Sequence, residues 1–374
     1  MRVQLVDPSA YTPPYDRALS AALARAGADV ELVTSRFAYG DVPPAEGYRV
    51  NELFYRRAGR FSVSDRARFA TKLAEHVPDM LRYRRHARQA DVVHWQWLSV
   101  QPVDAYLLPR KQPRLMTAHD VLPREPRPGQ IGATRRLLGK MDAVVVHSQH
   151  GANRLRAELG LEPERIHVIP HGAFDYLTSL RDERPLPPEL AAVEGPVVLF
   201  FGLVRPYKGV DLLIEAFHDI EGAELWVVGM PRMPLDPLRE LASEVRGRVR
   251  FVSRFVDDNE IPAYFRRADI VALPYRAIDQ SGVLYTALAF GKPIVVSSVG
   301  GLDEVAAEGA ARSVPPNAPV ELAAAIQELL DKPEERELLA QAAATASAGR
   351  YSWGAIAQQT LTLYRALLDG DASR

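Results

Sequence analysis

"LFFGLVRPYKGVDLLIEAF", residues 199–217, carries a strand, a charged turn and a helix pattern in one short stretch. Its first residues close a strand, Val197 to Phe201, that reads as buried on both faces and stops at Gly202. A loop then carries Arg205 and Lys208, and Gly209 opens an apolar helix pattern that runs to Phe217. Strand, turn and helix in this order make half of a parallel βαβ unit, so the stretch predicts an α/β fold. Two cations beside a helix N-terminus also fit an anion such as a diphosphate. Taken alone, one Arg and one Lys in a loop read better as solvated charges; the bracketing glycines tip the reading to the anion. The spacing is not that of a G-x-x-x-x-G-K-[ST] loop.

The same alternation extends both ways along the chain. Strands are expected at Val3 to Val6, Asp29 to Thr34, Val92 to Trp95, Arg114 to Ala118, Ala143 to His147 and His167 to Ile169. The helix pattern Tyr15 to Ala26 closes at Gly27. After residue 217 come strands at Glu224 to Val228, Val249 to Val252, Ile270 to Leu273 and Ile294 to Ser297, with a helix at Ile261 to Ala268. Residues 174–196 are charged, proline-rich and weakly periodic, as a linker would be. Residues 314–345 read as an alanine- and leucine-rich helix. "YSWGAIAQQTLTLYRALL" reads as a long amphipathic helix that could cap either half. The chain therefore divides into residues 1–175, a linker 176–195, and residues 196–351. Two doubly wound domains are expected to face each other across a cleft at the carboxyl ends of their strands, where such sheets bind ligands.

Composition narrows the function classes. Of 374 residues, 47% are apolar and 25% charged, with formal net charge −1, which argues against a general nucleic-acid binder. The absence of cysteine excludes disulfides, thiolate metal sites and cysteine nucleophiles. Nine histidines are scattered, and no Asp-x-Asp follows a strand as a metal site would need, so no metal and no cofactor are expected. No serine lies in a G-x-S-x-G context with a matching acid and base. The apolar run at the N-terminus is too short for a signal peptide or membrane span, so a cytoplasmic protein is expected, open to contact with the inner face of a membrane. That contact would fall on residues 56–88, where Arg56, Arg57, Arg60, Arg66, Arg68, Lys72, Arg82, Arg84, Arg85 and Arg88 meet only Asp65, Glu75 and Asp79. Phe61, Phe69, Leu73, Val77, Met80, Leu81 and Tyr83 interleave with them, which suits anionic lipid and equally a solvated helix pair.

"DQSGVLYTALAFGKPIV", residues 279–295, is the other informative stretch. Ser281 is placed to cap an apolar helix, and the N–H groups of Gly282, Val283 and Leu284 would then face a phosphate. Gln280 or Asp279 could bond hydroxyls of a ligand; the plain alternative is a cap on a core helix. In the first half, His119 and Asp120 follow the strand ending at Ala118, at the carboxyl edge. His119 suits a polar contact there or the capping of a loop. His94, Trp95 and Trp97 sit at another strand end, where an aromatic face could stack on a ligand ring or pack in the core. His147, Ser148, His150 and Asn153 form a third polar strand end, with His150 and Asn153 spaced to share a helix face.

Strand-Gly-x-x-Arg-x-x-Lys-Gly before an apolar helix resembles the donor-site signature of the retaining GT-B glycosyltransferases of family 4, group 1. "RIHVIPHGAF" (165–174), "VVGMPR" (227–232), "VSRFVDDNEIPAYFRRADIVALPY" (252–275) and "AFGKPIVVSSVGGLDEV" (289–305) are similar to further elements of that family. The likeness spans nearly the whole chain, strongly from about residue 165 onward. It implies two Rossmann-like domains, with the closing helix 352–370 crossing back onto the first. It also implies transfer of a sugar, with retention, from a UDP- or GDP-sugar to a hydroxyl of an acceptor left open among glycan, lipid-linked and small molecules. Metal is usually dispensable in the family, because protein cations stabilise the leaving diphosphate; Arg205 and Lys208 match those positions. On the donor side the resemblance places Gly202, Phe255, Gln280, Ser281, Gly282 and Val283 with that pair. His119 matches a histidine near the donor sugar and the reacting hydroxyl, and Tyr15, Trp95, Asp120 and His150 are acceptor-side candidates.

The sequence departs from the family in two places. A Glu-x7-Glu element would put carboxylates where Ile278 and Thr286 stand. The glycine-rich turn after the first strand is replaced by "PSAYTPPYD" (8–16), stiffened by Pro13 and Pro14. The missing carboxylates keep open a catalytically silent sugar-nucleotide-binding protein. A phosphorylase or epimerase on the same architecture is disfavoured by the Arg-x-x-Lys match and by the lack of a lysine-bound cofactor signature.

Overall fold

The computed structural model describes residues 1–371 except 39, 41, 62–65, 99, 123–127 and 246–247. It folds as two units, Met1–Gly172 with Trp353–Arg374, and Ala173–Ser352. Residues 62–65 of the basic region, Asp65 among them, lie outside the described residues.

The first unit is built on seven parallel strands: β1 (Arg2–Asp7), β2 (Asp29–Thr34), β3 (Arg49–Glu52), β4 (Val92–Trp95), β5 (Arg114–Thr117), β6 (Ala143–Val146) and β7 (Ile166–Val168). Their order in the sheet is β3-β2-β1-β4-β5-β6-β7. The chain winds outward from β1 in one direction and resumes at β4 in the other, so the topology switches between these two strands. The C-terminal helix Trp353–Asp371 belongs to this unit and packs on the helix Pro13–Arg25. Tyr364 Oη reaches His94 Nδ1 of β4 at 2.6 Å.

The second unit repeats the plan with β8 (Val197–Phe201), β9 (Glu224–Val228), β10 (Arg248–Val252), β11 (Ile270–Leu273), β12 (Ile294–Ser297) and β13 (Arg312–Val314). Their order is β10-β9-β8-β11-β12-β13, so here the switch falls between β8 and β11. β11 and β12 are buried along their whole length, as expected of apolar runs in a parallel sheet covered on both faces. The helix Val210–Ala216 lays Val210, Leu213 and Ile214 into the same core. Residues 176–195 lie within this unit: Tyr176 Oη donates to Asp258 at 2.9 Å, and Arg184 N–H to the Asn259 carbonyl at 2.7 Å.

Two strands were not anticipated. β3 and β13 are short edge strands, and "RVNE" and "RSV" offer no apolar run to announce them. The expected helix over 314–345 is two helices, Pro319–Asp331 and Pro333–Ala348, because Pro333 starts the second where the first would have continued.

At the carboxyl ends of β8 and β9, Gly202 and Gly229 hold positive φ angles of 109° and 143°. A Cβ on Gly229 would sit 1.9 Å from the Gly202 carbonyl oxygen. Gly229→Ala is therefore expected to destabilise the protein by about 2–4 kcal/mol, since backbone must move at both strand ends. Thermal melting followed by circular dichroism checks this; an unchanged midpoint would mean that the two strand ends tolerate separation.

Candidate active site

In the second unit the charged turn and the helix tip seen in the sequence meet at the switch point between β8 and β11. Gly202 ends β8, and a Cβ there would touch Val283 Cγ2 at 3.2 Å, so the strand end lies against the first turn of the helix Gly282–Ala289. Arg205 is exposed and precedes the 3-10 turn Pro206–Lys208. Gly209 then reverses the chain at φ 65°, where a Cβ would sit 2.0 Å from the Pro274 carbonyl oxygen.

Lys208 is buried, its Nζ 3.8 Å from the centre of the Tyr275 ring. A cation over an aromatic face gains about 0.5–2 kcal/mol, which helps to fix the place of this side chain. Tyr275 Oη in turn lies 3.3 Å from Ser281 Oγ. Lys208, Tyr275 and Ser281 thus tie the turn to the helix tip. Arg276 clamps the same turn from outside: it donates to both carboxylate oxygens of Asp211 at 2.9 and 2.7 Å and to the Pro206 carbonyl at 2.8 Å. Its backbone N–H donates to the Tyr207 carbonyl at 2.8 Å. The pair is half-exposed and adds little stability by itself, so its main effect is on the shape of the turn.

The helix tip differs from the expected one. Ser281 occupies the N-cap position but makes no capping bond, because its hydroxyl is turned to Tyr275. Leu284 N–H is not free either; it donates to the Ser281 carbonyl at 3.1 Å. No acceptor among the described residues takes the N–H groups of Gly282 or Val283, which leaves two amides at the positive end of the helix dipole. Gln280 folds inward: its Oε1 accepts from Ser281 N–H at 3.2 Å, and its Nε2 lies against Gly301. Ile278 is buried in the core, and the Thr286 hydroxyl bonds back to the Gly282 carbonyl at 3.0 Å, so neither side chain offers a polar group to a ligand. Phe255, beyond the end of β10, is half exposed, and its carbonyl accepts from Arg254 at 2.9 Å.

In the first unit His119 sits just past the end of β5, stacked on Trp97 with ring centres 5.2 Å apart and planes 15° apart. Its Nδ1 lies 3.1 Å from His147 Nε2, and its Nε2 lies 3.1 Å from Gln96 Oε1. Burial and the neighbouring His147, His171 and His94 hold its pKa well below the ordinary value. Tyr15 is buried, with its ring centre 4.7 Å from His119, 4.9 Å from His171 and 5.2 Å from Trp353; it is a centre of packing rather than a surface contact.

Trp95 corrects the sequence expectation: it is fully buried against Tyr83, because its position on β4 points it into the layer beneath the helix Arg66–His86. Trp97, two residues on, carries the partly exposed aromatic face, and its Nε1 donates to Thr12 Oγ1 at 2.9 Å. Ser148 caps the helix Gln149–Leu159 by accepting from Gly151 N–H at 3.0 Å; His150, Asn153 and Asp120 are exposed.

Sequence matching fits this geometry. A family model described as Glycosyltransferase Family 4 matches residues 17–173, and one described as Glycosyl transferases group 1 matches residues 195–332. The chain belongs to this glycosyltransferase family. It is 29% identical over 382 residues to a D-inositol 3-phosphate glycosyltransferase of Xylanimonas cellulosilytica, covering 92% of this chain and 89% of that protein. It is also 29% identical over 242 residues to an alpha-D-kanosaminyltransferase of Streptomyces kanamyceticus, covering 62% of each chain. Among solved structures, sucrose-phosphate synthase of Thermosynechococcus elongatus aligns with a TM-score of 0.76 at 23% identity, covering 99% of this chain and 100% of that one. Anabaena HepE, crystallised with UDP-glucose, aligns with a TM-score of 0.74 at 21% identity, covering 98% and 100%. Its two parallel-sheet, Rossmann-like units give this glycosyltransferase the GT-B fold.

Sequence reasoning missed what the turn after β1 of the glycosyltransferase does. Asp7, at the end of β1, accepts from the N–H groups of Ser9, Tyr11 and Thr12, so the chain's own carboxylate fills the turn. Asp16 lies beside it, buried in the helix Pro13–Arg25. Burial raises both carboxyl pKa values, and the negative charge of Asp7 raises that of Asp16 further. Among the described residues no group of His, Asp or Glu is arranged to hold a metal ion. A recess of about 830 Å³ opens at the other edge of the first sheet, where three of its five lining cations are engaged: Arg114 with Asp142, Arg165 with the Leu138 and Gly139 carbonyls, Lys140 over Tyr106.

A raised folded-state pKa means that the folded protein binds more protons than the unfolded chain above about pH 4. Stability is therefore lost as pH rises through the folded pKa of the Asp7–Asp16 pair. Asp16→Asn removes one member of the pair. Its melting midpoint is expected to exceed that of the parent protein at pH 8, with a smaller gap near pH 4. An equal gap at both values would exclude a shared proton.

Proposed function

We propose that the chain transfers a sugar from a nucleoside diphosphate sugar, UDP- or GDP-linked, to an acceptor hydroxyl, with retention at the anomeric carbon and without a metal. The observation that carries this reading is the meeting of the turn that bears Arg205 and Lys208 with the tip of the helix Gly282–Ala289 at the β8–β11 switch point: Lys208 lies over Tyr275, Tyr275 Oη lies beside Ser281, and Val283 packs on Gly202. In the proposed step the bond from the anomeric carbon to the diphosphate oxygen breaks. The acceptor oxygen bonds to that carbon, and its proton passes to the departing phosphate. Arg205 and Lys208 stabilise the charge that develops on the diphosphate, and the helix-tip amides hold its oxygens. The exposed ring of Phe255 is available to the nucleoside. The acceptor side is assigned to His119, with Trp97 beside it as a stacking surface. Support for the donor class comes from family membership and from the UDP-glucose bound by the HepE neighbour.

Ile278 and Thr286 favour one rival, a protein that binds the sugar nucleotide without transferring it, since neither supplies a carboxylate to the sugar. Calorimetric titration with UDP and GDP, beside a donor panel scored by nucleotide release, separates the two. Arg205→Ala and Lys208→Ala are each expected to weaken diphosphate binding by about tenfold or more. Unchanged affinity in both variants would overturn the phosphate assignment, and tight binding with no release from any donor would favour the silent protein.

The acceptor is proposed to be lipid-linked, reached by docking of the helix Arg66–His86 on an anionic membrane surface. Phe69, Leu73, Val77 and Leu81 stand exposed at every fourth position of that helix, beside Arg66, Arg82 and Arg85, while His76, Met80 and Tyr83 face the core. No helix among the described residues is long and apolar enough to cross a membrane. Co-sedimentation with phosphatidylglycerol vesicles, weakened by salt and by Phe69→Asp with Leu73→Asp, is the expected result. Equal recovery with neutral and anionic vesicles would remove the membrane from the reading.

A further inference from the structure

His119 is held at both ring nitrogens, and the groups that hold it fix where its proton sits. His147 Nδ1 lies 3.0 Å from the Ile169 carbonyl oxygen, which can only accept, so this nitrogen carries a hydrogen. In a neutral His147 ring the other nitrogen, Nε2, is then an acceptor. It lies 3.1 Å from His119 Nδ1, which must donate to it. A neutral His119 therefore has a bare Nε2, and the group facing it should be a donor.

Gln96 faces it, fully buried, with Oε1 at 3.1 Å and with Nε2 buried and without a hydrogen-bond partner. A half-turn of the amide places its NH2 against His119 Nε2 and gives both groups a partner. It leaves the carbonyl oxygen unpaired, which is the less costly group to strand. The opposite assignment, with Oε1 accepting, needs three hydrogens on the two imidazoles and hence a buried positive charge. Burial works against that charge, lowering the His147 pKa to about 4 and that of His119 well below the ordinary value.

We propose that His147 and Gln96 are positioning residues that hold His119 as the Nδ1–H tautomer and keep Nε2 as a hydrogen-bond acceptor. The Ile169 carbonyl, His147, His119 and Gln96 form one chain of bonds with a single direction. Its consequence for the reaction rests on the function proposed above. When the Gln96 amide turns aside, His119 accepts from a substrate hydroxyl at Nε2, and it has no proton there to donate. Stacking on Trp97 fixes the plane of the ring, so the hydrogen bonds alone decide the tautomer.

Two-bond proton–nitrogen NMR correlation on the full chain labelled with 15N-histidine tests this, with the His119 signals assigned by their loss in His119→Gln. The wild-type protein at neutral pH is expected to show a protonated Nδ1 and a bare Nε2. Gln96→Glu puts a carboxylate against Nε2, so His119 is expected to become doubly protonated and to titrate at higher pH. The same variant is expected to lose about tenfold or more in kcat with little change in donor KM. His147→Phe removes the acceptor for Nδ1–H and is expected to mix the tautomers; if it does not fold, the wild-type and Gln96→Glu spectra still decide. A wild-type Nε2–H tautomer or imidazolium, or an unchanged pattern in Gln96→Glu, would overturn the proposal. Full turnover in His119→Gln would instead overturn the role given to His119 while leaving the tautomer assignment intact.

Discussion

The Gly202 carbonyl oxygen lies where any side chain on Gly229 would have to go, and most of the second unit's chemistry follows from that contact. Three backbone segments crowd together just beyond the sheet: the exits of β8 and β9, and the first turn of the helix Gly282–Ala289, whose Val283 meets Gly202. Gly209 adds a third close approach, to Pro274. With no Cβ at these points, the charged turn can fold back over the strand ends. Lys208 then comes over Tyr275, within reach of the helix tip. A bulkier chain would hold the turn away from the amides and leave Arg205 and Lys208 as ordinary loop cations. The glycines that bracket the pair in the sequence let the turn that carries it pack against the strand ends and bring Lys208 over Tyr275.

That condition explains why the second unit was legible. Long apolar runs such as Val197–Phe201 and Ile294–Ser297 have only one environment that suits them, a strand covered on both faces, and the glycines mark where each run must stop. β3 and β13 escaped because an edge strand pairs on one side and needs no apolar pattern. Ser281 stands at the N-cap as its place in the sequence suggests, yet makes no capping bond. A serine before an apolar helix is a good cap by local rules, but Tyr275 offers its hydroxyl another partner, and only the folded β11 exit brings Tyr275 there. Trp95 and Trp97 show the same limit. Both stand near one strand end, and their opposite fates depend on the layer of helix Arg66–His86 beneath the sheet.

Histidine spacing gave still less away. His94, His119, His147 and His171 are spread over nearly eighty positions, and nothing in that spacing suggests that they gather. They meet because β4, β5 and β6 are neighbours in the sheet and deliver one histidine each at or just past their ends, with His171 following β7. Parallel topology turns distance along the chain into adjacency across the sheet, which no local reading can recover. Once the rings are adjacent and buried, charge on one raises the cost of charge on the next, so the cluster stays neutral and its hydrogen bonds must be ordered.

The two units also treat the amides at their switch points in opposite ways. After β1 the N–H groups of Ser9, Tyr11 and Thr12 all turn to Asp7, and Pro13 begins the helix without offering a further donor. After β11 the Ser281 hydroxyl is drawn off to Tyr275, over which Lys208 lies, and the amides of Gly282 and Val283 have no acceptor among the described residues. An external phosphate approaching the first turn would have to displace a carboxylate held by three backbone bonds, against like charge. One approaching the second finds donors already aimed and positive charge already in place. The same doubly wound plan thus yields one turn closed to anions and one open to them. That asymmetry supports the proposed place of the diphosphate in the second unit, where Ile278 and Thr286 stand at the positions of the family's paired carboxylates.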